Sequence, residues 1–309
     1  MVILGNNANF RAMRYVLITL MLLLCQGLVW GQVSYTGTID RYNIELVAEV
    51  YSDGAVNVIY EYTKHHEPIV LEGRITGKTL TLYESDKQRT KTAKLVFPAF
   101  NKKATTLSGT WTDLKTNKEA TISLTRNFDV EEDNTKLTWN NREIIQSAAL
   151  KNQYFKLIIG KEKVTDELGV KGVKIMDKKT GQLVQQIKLD CQLSGAGLYS
   201  VSVGDYNFDG YPDFSVFETG YAEPNTSSLY FLYNPATKKF FKSRYEGVSL
   251  EFDEDTKTIT ELNQCCAGAQ QTVKKYKVVN NKMVLKEQHC YKYDEQKQDM
   301  VERPMKECE

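Results

Sequence analysis

The chain has 309 residues, with 40 Lys or Arg, 39 Asp or Glu and a formal net charge of +1. This balance, without a clustered basic run, gives no indication of nucleic-acid binding, which normally needs a basic surface. Beyond the N-terminal segment no apolar run reaches the length of a membrane span. The 18 Tyr and 12 Phe residues stand with Thr and Val in short alternating runs, so we predict an all-β protein.

Residues 1–31 have the pattern of a secretory signal peptide. Arg11 and Arg14 precede an apolar run that is too short and too one-sided for an ordinary membrane span. Small residues precede a cleavage site near Gly31. We therefore expect a periplasmic or secreted mature chain without a membrane span, and Cys25 leaves lipidation open as an alternative.

Residues 32–127 are predicted to form an N-terminal antiparallel β-meander or small barrel. About eight short strands alternate here with turn signals such as S-D-G and T-G-K. In K-T-L-T-L-Y-E the two leucines share one face of a strand, which is typical of a half-buried sheet. Gly37, Gly73 and Gly109 mark places where strands bend or pack closely.

The adjacent histidines His65 and His66 lie at the end of one of these strands. In a strand they would point to opposite faces, so they would not easily ligate one metal ion. We interpret them as a solvated strand end near Pro68.

Residues 128–141 form the predicted linker, because the acidic run D-V-E-E-D-N-T-K lacks periodicity. Residues 142–309 form the second predicted domain. Its paired apolar runs flank polar tips near residues 180, 237, 255 and 280, and each pair has the pattern of a hairpin. We expect a C-terminal β domain that is either propeller-like or a sandwich.

The stretch D-Y-N-F-D-G-Y-P-D has the residue order of a calcium-binding loop. Side-chain oxygens stand at Asp205, Asn207, Asp209 and Asp213, and the backbone carbonyl of Tyr211 is the further ligand that such loops use. Three carboxylates this close repel one another unless a cation neutralises them. The flanking runs alternate like strands, so we place the loop at a hairpin tip. The alternative is a turn rich in Asn, Asp and Gly that holds no ion.

Five cysteines follow the signal segment: Cys191, Cys265, Cys266, Cys290 and Cys308. In an exported protein, disulfides are more expected than a metal cluster. Two bridges drawn from five cysteines allow fifteen pairings. Our preferred pairing joins Cys265 or Cys266 to Cys290, because the segment between them has the pattern of a hairpin.

Residues 150–300 also carry a family resemblance. The D-Y-N-F-D-G-Y-P-D-F-S-V loop, the S-S-L-Y-F-L-Y-N-P-A-T-K-K-F hairpin and the C-C segment resemble bacterial periplasmic proteins with one EF-hand-like or FG-GAP-like calcium loop. That family includes immunity proteins against peptidoglycan-cleaving effectors, and its fold is similar to periplasmic inhibitors of invertebrate-type lysozyme. Such inhibitors bind the lysozyme cleft with an S-G-x-Y loop. The matching residues here are Ser194 and Gly195, whereas Tyr199 stands two residues beyond the pattern.

The sequence contains no G-x-S-x-G elbow, H-E-x-x-H pair or phosphate-binding loop. We therefore expect a calcium-binding protein of the cell envelope that acts by binding a protein and is not an enzyme. The resemblance implies a peptidoglycan hydrolase as the partner. The alternative is a surface protein that binds or processes glycans, because the carboxylate spacing needed for glycoside hydrolysis exists only in the fold.

Overall fold

A computed structural model describes residues 29–130, 139–161, 168–193, 197–221 and 224–308. Within these ranges the regular structure consists of antiparallel strands and two short 3-10 turns, which confirms the predicted all-β class. No helix in the described part of the chain is long and apolar enough to cross a membrane. The predicted signal segment up to residue 28 and linker residues 131–138 lie outside the described residues.

The first eight strands form a closed antiparallel barrel, which confirms the small-barrel alternative. Consecutive strands pair, and β1 closes the ring by pairing with β8. Because successive side chains of a strand point to opposite faces, every second residue fills the barrel interior. The strands are β1 (Val29–Ile39), β2 (Tyr42–Tyr51), β3 (Ala55–Tyr62), β4 (Ile69–Thr76), β5 (Thr79–Ser85), β6 (Lys91–Phe97), β7 (Thr106–Asp113) and β8 (Glu119–Asp129).

Two of the singled-out glycines lie where neighbouring backbones meet inside the barrel. A Cβ atom on Gly37 would lie 2.0 Å from the carbonyl oxygen of Ser123, and one on Gly73 would lie 1.9 Å from that of Thr81. No side chain fits at such a distance, so these positions need glycine. The close strand packing expected there is confirmed.

Three antiparallel sheets follow the barrel, each with its strands paired in chain order. The hairpins predicted near residues 180, 237, 255 and 280 all occur. A succession of up-and-down sheets is typical of propeller blades. The first sheet contains β9 (Trp139–Ala149), β10 (Gln153–Lys161), β11 (Leu168–Asp177) and β12 (Leu183–Gln192); the second contains β13 (Val201–Gly204), β14 (Asp213–Gly220), β15 (Thr226–Asn234) and β16 (Lys239–Lys242); the third contains β17 (Leu250–Asp253), β18 (Thr258–Cys265), β19 (Gln270–Val279), β20 (Lys282–Asp294) and β21 (Asp299–Arg303).

One apolar core joins the first two sheets to the outer wall of the barrel. The ring of Phe214 lies 4.9 Å from that of Phe155 and 4.8 Å from that of Phe231, and all three residues are fully buried. Val47 of β2 and Ile59 of β3 belong to the same cluster although they sit on the barrel exterior. The barrel and the sheets are therefore packed against each other.

The disulfide prediction is wrong in its pairing. Cys290 is bonded to Cys308, with a Cα–Cα distance of 5.9 Å, and not to Cys265 or Cys266. Strand β19 lies between β18, which ends at Cys265, and β20, which carries Cys290. Two strand spacings are about 9.5 Å, whereas a disulfide needs Cα atoms within about 7 Å. The turn after β21 brings Cys308 close to Cys290 instead.

Candidate functional site

The loop from Asp205 to Asp213 joins β13 to β14, as predicted, and Gly204 and Asp213 pair at its base. Its side chains alternate in direction. Tyr206 and Phe208 pack into an apolar cluster, whereas Asp209 is exposed to solvent. Gly210 adopts a φ of +88°, a conformation that favours glycine and supports the sharp turn.

The polar side chains of the loop bind its own backbone. The Asp205 carboxylate accepts hydrogen bonds from the amides of Asp209 and Gly210, at 3.1 and 2.7 Å. Asp209 accepts one from the amide of Tyr211 at 2.9 Å and another from the side chain of Asn207 at 2.8 Å. Within the described ranges, no group of three or more His, Cys, Asp or Glu side chains is arranged to hold a metal ion. The predicted residues are thus brought together as one hydrogen-bonded loop.

Asp213 is the buried carboxylate of this loop, with no exposed surface. Its two oxygens accept hydrogen bonds from the backbone amides of Tyr206, at 2.9 Å, and Tyr233, at 2.7 Å. The pKa of the Asp213 carboxyl is raised to about 6, chiefly because the group is buried. The negative charges of Asp209 and Asp205 contribute to the rise, and the two amide hydrogen bonds reduce it. A proton or a cation at this position would therefore be stabilised.

Tyr245 faces the same group of charges. Its side chain is 6% exposed, and its hydroxyl group has no hydrogen-bond partner among the described residues. Burial raises the pKa of Tyr245, and the nearby negative charges of Asp213, Asp205 and Asp209 raise it further. A buried hydroxyl group without a partner therefore lies in the field of the three loop carboxylates.

The loop also lies at the junction of the second and third sheets. The ring of Tyr206 lies 4.9 Å from that of Tyr230 and 4.7 Å from that of Phe252, which belongs to the third sheet. The Asn207 side chain donates a hydrogen bond of 3.0 Å to the side-chain oxygen of Asn281, in the turn between β19 and β20. Ordering this loop would therefore hold the two sheets together.

The predicted inhibitory loop is described only in part. Ser194 and Gly195 lie outside the described residues. Tyr199 ends the 3-10 turn Gly197–Tyr199 and is 36% exposed. The pKa of Tyr199 is raised to about 12, chiefly by burial and in smaller part by the negative charges of Glu49 and Glu72. Tyr199 therefore lies beside the outer wall of the barrel.

The backbone around this turn is held from two directions. Glu49, a fully buried residue of β2, accepts a hydrogen bond of 3.2 Å from the amide of Leu198. Gln146 of β9 donates one of 2.9 Å to the carbonyl of Gly197 and accepts one of 3.1 Å from the amide of Ser200. Burial raises the pKa of the Glu49 carboxyl. These hydrogen bonds connect the turn to both the barrel and the first sheet.

A second polar cluster is buried where the barrel meets the first sheet. His66 stacks on Tyr154, and its Nδ1 atom lies 3.1 Å from the carboxylate of Glu61. The His66 side chain is only 13% exposed. We predicted that both histidines lie at a solvated strand end. His65 is indeed exposed, but the prediction is wrong for His66. A φ of +47° at His66 turns it under the neighbouring sheet, and no sequence pattern marks that turn.

Lys156 of β10 completes this cluster. Its ammonium group lies 2.6 Å from a carboxylate oxygen of Glu45 and 4.0 Å from one of Glu61. Burial raises the pKa of the Glu61 carboxyl, and the neighbouring His66 and Lys156 oppose the shift. Charge pairing therefore accompanies the apolar contact between the barrel and the first sheet.

Sequence reasoning missed Tyr245, Tyr233 and Asn281 at the loop. Tyr245 follows β16 and Asn281 lies in a later hairpin. Neither residue lies at a sequence distance from the loop that would predict contact with it. The N-N dipeptide at residues 280–281 was a signal for a turn only.

Comparisons with known proteins leave the family open. No protein-family model matches the chain, and no curated protein matches it. A Xanthomonas type IV secretion system related protein shares 11% identity over 88% of this chain and 99% of its own, with a TM-score of 0.26. An oligogalacturonate lyase from Vibrio parahaemolyticus shares 8% identity over 87% and 88%, also with a TM-score of 0.26. The β-propeller domain of the Trilobed protease from Pyrococcus furiosus shares 10% over 89% and 72%, with a TM-score of 0.19. TM-scores this low place no constraint on fold or function.

Proposed function

We propose that this protein is an exported calcium-binding protein of the cell envelope that acts by binding another protein and has no turnover of its own. The observation that carries the proposal is the loop from Asp205 to Asp213. It sets three carboxylates on one short segment and buries one of them completely. Buried charge of this kind is costly unless it is paired or neutralised.

Calcium fits the chemistry of these residues. Hard cations prefer oxygen ligands, and the loop offers the side chains of Asp205, Asn207, Asp209 and Asp213 with the carbonyl of Tyr211. The raised pKa of Asp213 supports the proposal. It means that the buried carboxylate is destabilised in its charged form, and a bound cation would offset that cost. When bound, the ion would supply positive charge, and the carboxylates would exchange backbone hydrogen bonds for coordination.

The proposed role of the ion is structural. Tyr206 anchors the loop in the aromatic cluster, and Asn207 contacts the turn of the third sheet. A cation that holds the loop would therefore hold both sheets in one arrangement. A surface that is already ordered loses less conformational entropy when a partner binds, so affinity increases.

A peptidoglycan hydrolase is the partner that we propose. The resemblance to lysozyme-inhibitor-like immunity proteins motivates this choice. Support comes from Tyr199, which is part-exposed at the end of a turn that Glu49 and Gln146 hold in place. An inhibitor needs such a firm segment to enter a catalytic cleft, because a mobile one would lose more entropy on binding.

The calcium part of the proposal is tested by thermal unfolding with calcium and with a chelator. Calcium at about 100 times its dissociation constant should stabilise the wild type by about 2.7 kcal/mol. Asp209→Ala should lose this effect. Asp255→Ala is the matched control, because Asp255 is an exposed acidic residue at another hairpin tip. Equal midpoints for the wild type in both conditions would refute calcium binding.

The partner part is tested by mixing the purified chain with a panel of lysozyme-type enzymes. We expect a complex with at least one enzyme and slower hydrolysis of cell walls. Tyr199→Ala should weaken the complex, and Tyr293→Ala, at another exposed tyrosine, should leave it unchanged. Absence of any complex, together with release of sugar from a glycan by the protein alone, would favour the glycan-processing alternative.

A further inference from the structure

A cleft of about 510 Å³ lies where three turns of the barrel and the first sheet converge. One turn follows β3, another joins β9 to β10, and the third joins β11 to β12. The side chains that line the cleft are mostly cationic. They include Lys64, His65, Lys151, Asp177, Lys178 and Lys179.

The three turns are held in place by hydrogen bonds. The amide of Lys178 donates to the carbonyl of Asn152 at 3.0 Å, which joins the two turns of the first sheet. The carboxylate of Asp177 accepts from the amide and the hydroxyl of Thr180, both at 2.8 Å. The Lys178 ammonium group lies 2.6 Å from Glu67 of the barrel. Two hydrogen-bonded turns of the first sheet and one ion pair to the barrel therefore connect the walls of the cleft.

Its charges do not balance. Four lysines face two carboxylates, Glu67 and Asp177, so the lysines exceed the carboxylates by two positive charges. In the described part of the chain, the side chains of Lys64 and Lys151 form neither a hydrogen bond nor an ion pair. Like charges in one concave site repel one another, and an anion placed between them removes that repulsion. The cleft thus favours a negatively charged ligand.

A second depression of about 360 Å³ shares Lys64 and His65 with the cleft. It adds Asn43 and Arg41, whose guanidinium carbon lies 5.3 Å from the ring centroid of Tyr42. Tyr42 is 47% exposed. An exposed aromatic ring offers an apolar surface for the C–H face of a sugar, and amides nearby can bind hydroxyl groups.

We propose that these two adjoining depressions form a binding site for an acidic oligosaccharide. Its carboxylate or phosphate groups bind Lys64, Lys151 and Lys179, and one sugar ring packs against Tyr42. This site is separate from the calcium loop and does not depend on the protein partner. It would place the protein on an anionic glycan of the envelope.

The test is calorimetric titration of the full chain at low salt with three probes. These are an oligouronate, a phosphate-substituted oligosaccharide and uncharged chitohexaose. We expect binding of at least one anionic probe and none of chitohexaose, with a loss of affinity when salt is raised because exposed charges are screened. The anionic probe that binds tells whether carboxylate or phosphate groups are the natural ligand groups.

Variants locate the site. Lys64→Gln with Lys151→Gln should weaken binding by about ten-fold or more, because both substitutions remove a positive charge that faces the anionic groups. Lys277→Gln with Lys286→Gln, at exposed lysines of the third sheet, should bind like the wild type. Tyr42→Ala should also weaken binding of the anionic probe, because one of its sugar rings packs against Tyr42. Failure of both anionic probes to bind, equal binding of chitohexaose, or an unchanged Lys64/Lys151 double variant would overturn the proposal.

Discussion

Asp213 should make the calcium-free protein lose stability as the pH rises from about 4 to about 6. The pKa of its carboxyl group is raised from 3.8 to about 6 in the folded chain. The native state therefore holds this proton more tightly than the unfolded state. The stabilising contribution is complete below the unfolded pKa and is lost as the pH rises through the folded one. A shift of about 2 units corresponds to about 3 kcal/mol in the free energy of unfolding.

Calcium should remove this dependence on pH. A cation at the loop stabilises the charged carboxylate, so it lowers the folded pKa of Asp213 towards or below 3.8. The loss of stability between about pH 4 and pH 6 should then disappear at saturating calcium. Protons and calcium compete for the same oxygen atoms, so the calcium affinity should fall as the pH drops below about 6.

The assay is urea denaturation in steps of pH, with chelator, for the wild type and Asp213→Asn. Asparagine does not titrate, and the other buried carboxyls with raised pKa values, Glu49 and Glu61, are present in both proteins. The difference between the two free energies of unfolding therefore isolates Asp213. A difference that stays flat across this window, or a wild type that gains stability relative to the variant, would refute the reasoning.

Three further substitutions test the packing around the sites. Phe214→Ala should lower the free energy of unfolding by about 3 to 5 kcal/mol, because a fully buried ring in the shared core leaves a cavity, and urea denaturation measures the loss. Lys156→Met should cost about 3 kcal/mol near neutral pH and less at acidic pH, where Glu61 can take up a proton; equal losses at both pH values would contradict the pairing. Cys308→Ser should cost about 3 kcal/mol, and reductant should lower the melting point of the wild type but not that of the variant.

The strands and the turns were predictable from the sequence because their signals are local. K-T-L-T-L-Y-E became β5, with Leu80 and Leu82 inside the barrel. The Asn280-Asn281 dipeptide forms the turn between β19 and β20, and both residues have a positive φ. Alternation and turn chemistry depend on residues that are neighbours in the chain.

The candidate loop was predictable in its position but not in its energetics. Alternate oxygens around Gly210 place it at a hairpin tip between β13 and β14. The complete burial of Asp213 depends on its contact with the amide of Tyr233, which comes from another strand. Tyr245 and Asn281 reach the loop from segments that follow it in the chain.

The sequence by itself therefore determined the all-β class, the hairpins and the residues of the candidate calcium loop. Only the tertiary structure decided that Cys290 pairs with Cys308, that the His66 side chain is only 13% exposed and that Lys64 and Lys151 line one cleft. The physical reason is that these properties depend on which strands lie between two residues and which sheets pack together. Strand order and sheet packing are set by the burial of apolar surface across the whole fold. The spacing of residues along the chain does not predict them.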